Sequence, residues 1–314
     1  MMPFDRISLG RQAKDLGFIR DTFEKVCRLA DVLSFMENDP LLSSNLALKG
    51  GTAINLTVFE LPRLSVDIDL DFTNNVSREV MLQERQKIGD HFGKYMTASG
   101  YVLSQKSKQY HALDSFVYEY VNAGGMRDNI KIEINYMLRC HVLPVSRRKT
   151  KLSWLDKELT VLCLHPVEVF SAKTVALLNR SAARDLYDMF NLQKFALLGP
   201  LQETLYKKCV MFYSAIASET VPEHFEFWGI RSISAQKIKR DLVPVLRQSE
   251  HFELEAAQEQ VETYLKGILL PEGNTLFWEA FSKGEYKPQL LFDDEDILSR
   301  IENHPMALWK CRNI

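Results

Sequence analysis

The 314-residue chain has only five cysteines, Cys27, Cys140, Cys163, Cys209 and Cys311, and no two of them form a CxxC pair. An odd count spread so widely argues against a disulfide framework or a cysteine zinc site, and it predicts reduced thiols in a cytoplasmic protein. No apolar run approaches membrane-spanning length, and the amino-terminal MMPFDRISLGRQAKD has no apolar signal core, so no membrane association is expected. Neither sign of charge dominates: 39 Lys and Arg against 41 Asp and Glu give a net charge of −2. Any contact with RNA must therefore come from a local basic patch. Repeats and low-complexity segments are missing, and the seven histidines show no metal-ligand spacing. What is present, 46% apolar and 25% charged residues, is enough for a sizeable core, and the length predicts two domains.

The chemistry concentrates between Leu48 and Phe72, LKGGTAINLTVFELPRLSVDIDLDF. A short strand over 46–48 runs into Gly50, Gly51 and Thr52, and a helix is expected from Ala53 to about Phe59. Glycine lets a ligand approach the backbone closely, and the first N–H groups of a helix cradle phosphate. Beyond Pro62 the chain alternates: Asp67, Asp69 and Asp71 share one face of a strand, and Ile68, Leu70 and Phe72 the other. Carboxylates so close on a rigid strand repel one another unless a cation lies between them, and hard oxygen ligands suit Mg²⁺ or Mn²⁺. Taken singly, Asp-x-Asp is also the pattern of a solvated strand face, and Gly-Gly is common in loops. In this order and spacing they describe a metal site beside a phosphate cradle, which implies a nucleotide.

Elsewhere the periodicity predicts an amphipathic helix over 11–36, stopped by Asn38, Asp39 and Pro40, and a helix from Ser77 to about Ser99. Strands are expected over 101–108, 115–121 and 130–135, the last placing Lys131, Glu133 and Asn135 on one face. A basic run holding Arg147, Arg148, Lys149 and Lys151 suits either an RNA backbone or a solvated interdomain loop. After a short strand at 162–164 the pattern becomes helical. Pro166 and Glu168 favour initiation, Lys173 and Arg180 follow, and a break near Ser181 leads to a helix bearing Arg184, Asp185 and Asp188. Arg184 and Asp188 also make an ordinary i,i+4 ion pair. Further helices are expected over 201–218, 235–247, 254–265, 275–283 and 295–302, with Trp228, Trp278 and Trp309 as core residues.

The pattern Gly-Gly-Thr-Ala-(aliphatic)-Asn-Leu, then Leu-Pro-Arg-x-Ser-x-Asp-Ile-Asp-Leu, resembles the first motif of the AbiEii-type nucleotidyltransferase toxins, a branch of the DNA polymerase β-like superfamily. Glu-(apolar)-x-x-x-Lys ending at Lys173, and Arg-x-x-x-Arg-Asp-Leu-Tyr-Asp from Arg180 to Asp188, resemble its later motifs. The resemblance spans about 46–192. It implies an α/β nucleotidyltransferase-like domain with a small mixed sheet over 1–160 and an all-helical domain over 161–314. By it, Asp67 and Asp69 bind Mg²⁺ or Mn²⁺, and Gly50, Gly51, Thr52, Arg63, Ser65, Lys173 and Arg184 bind the NTP. Asp185 and Asp188 are catalytic or hold the neighbouring arginines. Glu133 is either the third metal carboxylate or a solvated residue partnered by Lys131. The implied activity is metal-dependent transfer of nucleotides from an NTP to an RNA 3′ end, tRNA in that family, by the toxin of a bacterial toxin–antitoxin or phage-defence pair with a separately encoded antitoxin. The alternatives are a catalytically silent binding module on the same fold and, less suited to a glycine turn that precedes the acids, an Asp-x-Asp glycosyltransferase.

Overall fold

Where the apolar spacing suggests one helix over 11–36, the computed structural model, which describes residues 4–152, 154, 158–270 and 275–314, has two. Helix α1 (Arg6–Leu16) is capped by Asp5, whose carboxylate accepts from the Ser8 amide, and it ends at Gly17 in the left-handed region at φ 77°. Helix α2 (Arg20–Asn38) follows, then α3 (Pro40–Asn45), capped by Asp39. Strand β1 (Leu46–Leu48) leads into α4, which begins at Gly50 (Gly50–Ala53) and widens into a π-helical turn over Ile54–Val58. The helix thus starts three residues earlier than its apolar pattern suggests, and the glycines form its first turn.

Strand β2 (Asp67–Phe72), α5 (Arg78–Ala98) and strands β3 (Val102–Leu103), β4 (Lys108–Gln109), β5 (Leu113–Val121) and β6 (Arg127–Asn135) come next, followed by β7 (Ser146–Lys149) and β8 (Thr160–Cys163). The strand expected over 101–108 is therefore two short ones. The basic run is largely the edge strand β7, with Arg147 paired to Glu37 and Lys149 to Glu158 at 2.8 Å. All eight strands form one mixed sheet in the order β3-β5-β6-β2-β1-β8-β7, with β4 also pairing β5. Its centre is the acidic strand, antiparallel to β1 and parallel to β6.

Alternation then sorts the faces. Ile68, Leu70 and Phe72 of β2, Ile130, Ile132 and Ile134 of β6, and Phe116 and Tyr118 of β5 are buried on one side. Helices α2 and α5 cover that side and meet through Phe35 stacked on Tyr95. Each such buried side chain contributes about 1.5–3 kcal/mol. This burial fixes the register and leaves Asp67, Asp69, Asp71, Lys131 and Glu133 on the opposite face.

The chain divides into two compact units: the first runs to Arg139 and takes in Val145–Leu164 and Pro244–Glu250, and the second is Cys140–Pro144, His165–Val243 and His251–Ile314. In the first, the late segment is tied in by the Leu64 amide donating to the Val245 carbonyl at 2.8 Å. In the second, buried Glu168 accepts from the Val142 and Leu143 amides and from the Tyr213 hydroxyl, which holds Cys140–Pro144 there. Burial opposes ionisation of Glu168, but His141 and these donors hold its carboxyl below the usual range.

The second unit is helical, with α6 (Pro166–Arg180), α7 (Ala183–Lys194), α8 (Pro200–Ala217) and further helices that include Leu254–Leu269 and Pro305–Cys311. Buried Lys310 caps the end of α8, donating to the Ala215 carbonyl at 2.7 Å and to that of Ser218. Trp278 is buried, but Trp228 and Trp309 are 60% and 51% exposed, so two of the three tryptophans expected in the core lie at the surface. Trp228 opens a single turn whose Gly229 sits so tightly against α6 that a Cβ would lie 2.5 Å from the Leu178 carbonyl; the close approach of the backbone leaves the indole outside.

Candidate active site

In the first unit the glycine turn and the acidic strand meet directly. The Lys49 amide donates to the Asp69 carbonyl at 2.9 Å, and Gly50 then turns left-handed at φ +66°. A Cβ on Gly50 would lie 2.6 Å from the Asp69 Oδ2, so the carboxylate rests where any other residue would put its side chain. Gly50→Ala is accordingly expected to cost about 1–3 kcal/mol in stability, from backbone strain and overlap, and to displace the Asp69 carboxylate. Urea unfolding together with Mn²⁺ binding would check this; a variant matching the parent in both would remove the packing argument.

The other residues of the turn are held from beneath. Arg63 is 1% exposed and its guanidinium packs under Gly51, where a Cβ would come within 2.6 Å of it. The Thr52 hydroxyl donates to the Asp67 carbonyl and is hydrogen-bonded to the Ser65 hydroxyl at 2.9 Å. Asn55 donates to the Gly51 carbonyl at 2.8 Å. Arg63, Ser65 and Thr52 thus fix the shape of the turn with buried side chains, while the first N–H groups of α4, at Gly50, Gly51 and Thr52, have no acceptor within the helix.

Of the acids on this face, Asp67 and Asp69 are half-buried. Asp71 is 2% exposed and paired with the Lys49 ammonium at 2.5 Å. Glu133 lies directly beside Asp69 in the β2–β6 ladder, and its carboxylate is 2.9 Å from the Lys131 ammonium. Among the described residues no three His, Cys, Asp or Glu side chains cluster as a metal cage. Two hard carboxylates on one strand nevertheless fit Mg²⁺, which is commonly held by one or two carboxylates and completes its shell with water and substrate phosphate. Asp67 and Asp69 would hold it. A groove of about 660 Å³ beside α5, lined by Gly89, Gly93, Phe116 and Tyr118 among others, opens on the other face of the sheet and is separate from these acids.

The second unit carries the lysine. Helices α6 and α7 are joined through Ser181, left-handed at φ 54°, and this brings Lys173 between two acids of α7. Its ammonium lies 2.6 Å from Asp185 and 3.1 Å from Asp188, and the residue is 9% exposed. Arg180 also grips Asp185, at 2.7 Å. Burial would raise the Asp185 carboxyl, but the charges of Lys173 and Arg180 carry it below the ordinary range. Arg184 donates from Nε to the Asp241 carbonyl at 2.7 Å.

Residues 34–283 match the family described as nucleotidyl transferase AbiEii toxin, type IV toxin–antitoxin system. The chain belongs to that family. As an AbiEii protein it is a nucleotidyltransferase toxin, and membership implies an antitoxin partner. Its fold is that of the nucleotidyltransferase toxin MenT4 of Mycobacterium tuberculosis, with a TM-score of 0.62 at 17% identity over 96% of this chain and 98% of that one. A comparison with curated protein sequences gave no match. No described helix of this AbiEii protein is long and apolar enough to cross a membrane.

One feature of the site escapes a reading by motif. The Lys49–Asp71 pair depends on the antiparallel β1–β2 register, which sets Ala47 beside Asp71 and which no local pattern reveals. Asn55, a position of the first motif, supports the turn from the π-helical turn that follows α4. Asp185 does hold Arg180, one of the two roles expected for it, and it reaches Arg180 because Ser181 reverses the chain.

Proposed function

We propose that this toxin transfers a nucleotide from an NTP to the 3′ end of an RNA, tRNA being the acceptor that the family resemblance suggests, in a reaction dependent on Mg²⁺ or Mn²⁺. The observation that carries the reading is the Asp69 carboxylate lying against Gly50, with Asp67 beside it on the same strand face. The acceptor 3′-hydroxyl oxygen bonds the α-phosphorus, the hydroxyl proton passes to water, and the bond to the β-phosphate breaks to release pyrophosphate. Bound at Asp67 and Asp69, the divalent ion would supply charge neutralisation and a more acidic hydroxyl. The N–H groups at Gly50, Gly51 and Thr52 orient phosphate oxygens, and Arg63 and Ser65 keep that turn rigid. Lys173 is the cation for the triphosphate, since a point charge with three donors follows a moving phosphoryl group, and Asp185 and Asp188 fix its position. Glu133, adjacent to Asp69 in the ladder, is a further carboxylate that release from Lys131 would make available.

The test incubates the purified protein with each labelled NTP in turn, Mg²⁺ and total tRNA. Label on tRNA that EDTA abolishes is the expected result. No incorporation from any NTP would shift the reading to a binding module, and incorporation insensitive to EDTA would remove the metal from the mechanism.

A further inference from the structure

The acidic strand offers two carboxylate pairs of like spacing. Asp67 with Asp69, and Asp69 with Asp71, have the same two-residue spacing on the same face, so the backbone alone does not choose where a divalent ion sits. Lys49 breaks the tie. Strand β1 ends at Leu48, and the next residue donates its amide to the Asp69 carbonyl at 2.9 Å while its ammonium reaches the Asp71 Oδ1 at 2.5 Å. Asp71 is buried, and the Lys49 side chain is itself mostly covered, so this charge pair is weakly screened. The same residue starts the left-handed turn at Gly50 that presses against Asp69.

We propose that Lys49 is a positioning residue: its ammonium fills the cation position of the Asp69/Asp71 pair and so confines the divalent ion to Asp67/Asp69. The proposal rests on the metal-dependent reading above. Without Lys49, Asp71 becomes a competing ligand, and the ion gains affinity while it loses its place relative to the glycine turn. Tighter metal binding with slower transfer is a combination that mere loss of packing does not produce.

Mn²⁺ binding to the nucleotide-free protein, followed by electron paramagnetic resonance, gives a readout independent of turnover. The parent is expected to bind Mn²⁺, and D67N/D69N to lose it. Lys49→Met is expected to bind Mn²⁺ at least fivefold more tightly and to transfer nucleotide at least tenfold more slowly, and adding Asp71→Asn should bring both back within about twofold of the parent. Asp71→Asn alone, which leaves the ammonium uncompensated beside Asp69, is expected to weaken Mn²⁺ binding at least fivefold and decides the matter should Lys49→Met fail to fold. Unchanged Mn²⁺ affinity in a folded Lys49→Met or in Asp71→Asn overturns the proposal, as does failure of the double variant to recover. Mn²⁺ binding that persists in D67N/D69N instead defeats the metal reading on which it rests.

Discussion

Asp69→Asn is expected to lower nucleotide transfer by about 10³-fold, with the melting temperature within a few degrees of the parent. The two effects separate because of where Asp69 sits. Its backbone is locked in the centre of the sheet, its carbonyl accepting from Lys49 and its ladder position fixed opposite Glu133, whereas its side chain is half-buried on the face left uncovered by α2 and α5. The amide has nearly the same shape, so packing against Gly50 survives. What is lost is one negative charge and with it a hard ligand. A fall below tenfold in single-turnover incorporation, with the fold intact by circular dichroism, would show that Asp69 does not act on the metal. Ile68→Ala, one residue away on the fully buried face, is the opposing control, because a cavity in the core should cost about 2–5 kcal/mol in stability.

That contrast between neighbours is also what made the centre of this protein legible in its sequence. Alternation in DIDLDF assigns each side chain to a face without any knowledge of the fold, and Gly50 signals a turn because few other residues take positive φ. The helix α6 and its break at Ser181 follow from Pro166 and a change of period. The features missed depend on competing local signals or on distant pairings. Gly17 ends α1 inside a stretch whose apolar spacing runs on unbroken, so periodicity outweighed a C-cap signal that Lys14 and Gly17 together display. The return of Pro244–Glu250 to the first unit rests on pairing with Arg63 and Leu64, about 180 residues earlier, for which the segment carries no local mark. Lys49 is the functional instance: a lysine before two glycines reads as a solvated residue until β1 and β2 are paired.

Lys173→Met is expected to be the most destabilising of the charge substitutions, by about 3–5 kcal/mol at neutral pH, because it leaves Asp185 and Asp188 buried without the ammonium that lies between them. The pH dependence on the acid side should weaken. In the parent, Asp185 has a folded pKa below its ordinary value of 3.8, so its contribution to stability is fully present above that value and is lost as the pH falls through the folded one. In the variant, Asp185 keeps Arg180 but loses the Lys173 ammonium, so its folded pKa moves back up toward the ordinary value and less stability is lost on acidification. Urea unfolding followed into the acid range should therefore show Lys173→Met losing less stability on acidification than the parent, and parallel profiles would mean that the Lys173 charge does not hold the Asp185 carboxyl down. The double variant Lys173→Met with Asp188→Asn separates scaffold from chemistry. It removes one of the two carboxylates that faced the ammonium and should recover much of the stability. If Lys173 served only to neutralise the two aspartates, transfer would return with the fold; if it is the cation for the triphosphate, transfer stays at least a hundredfold down in a protein that is again stable.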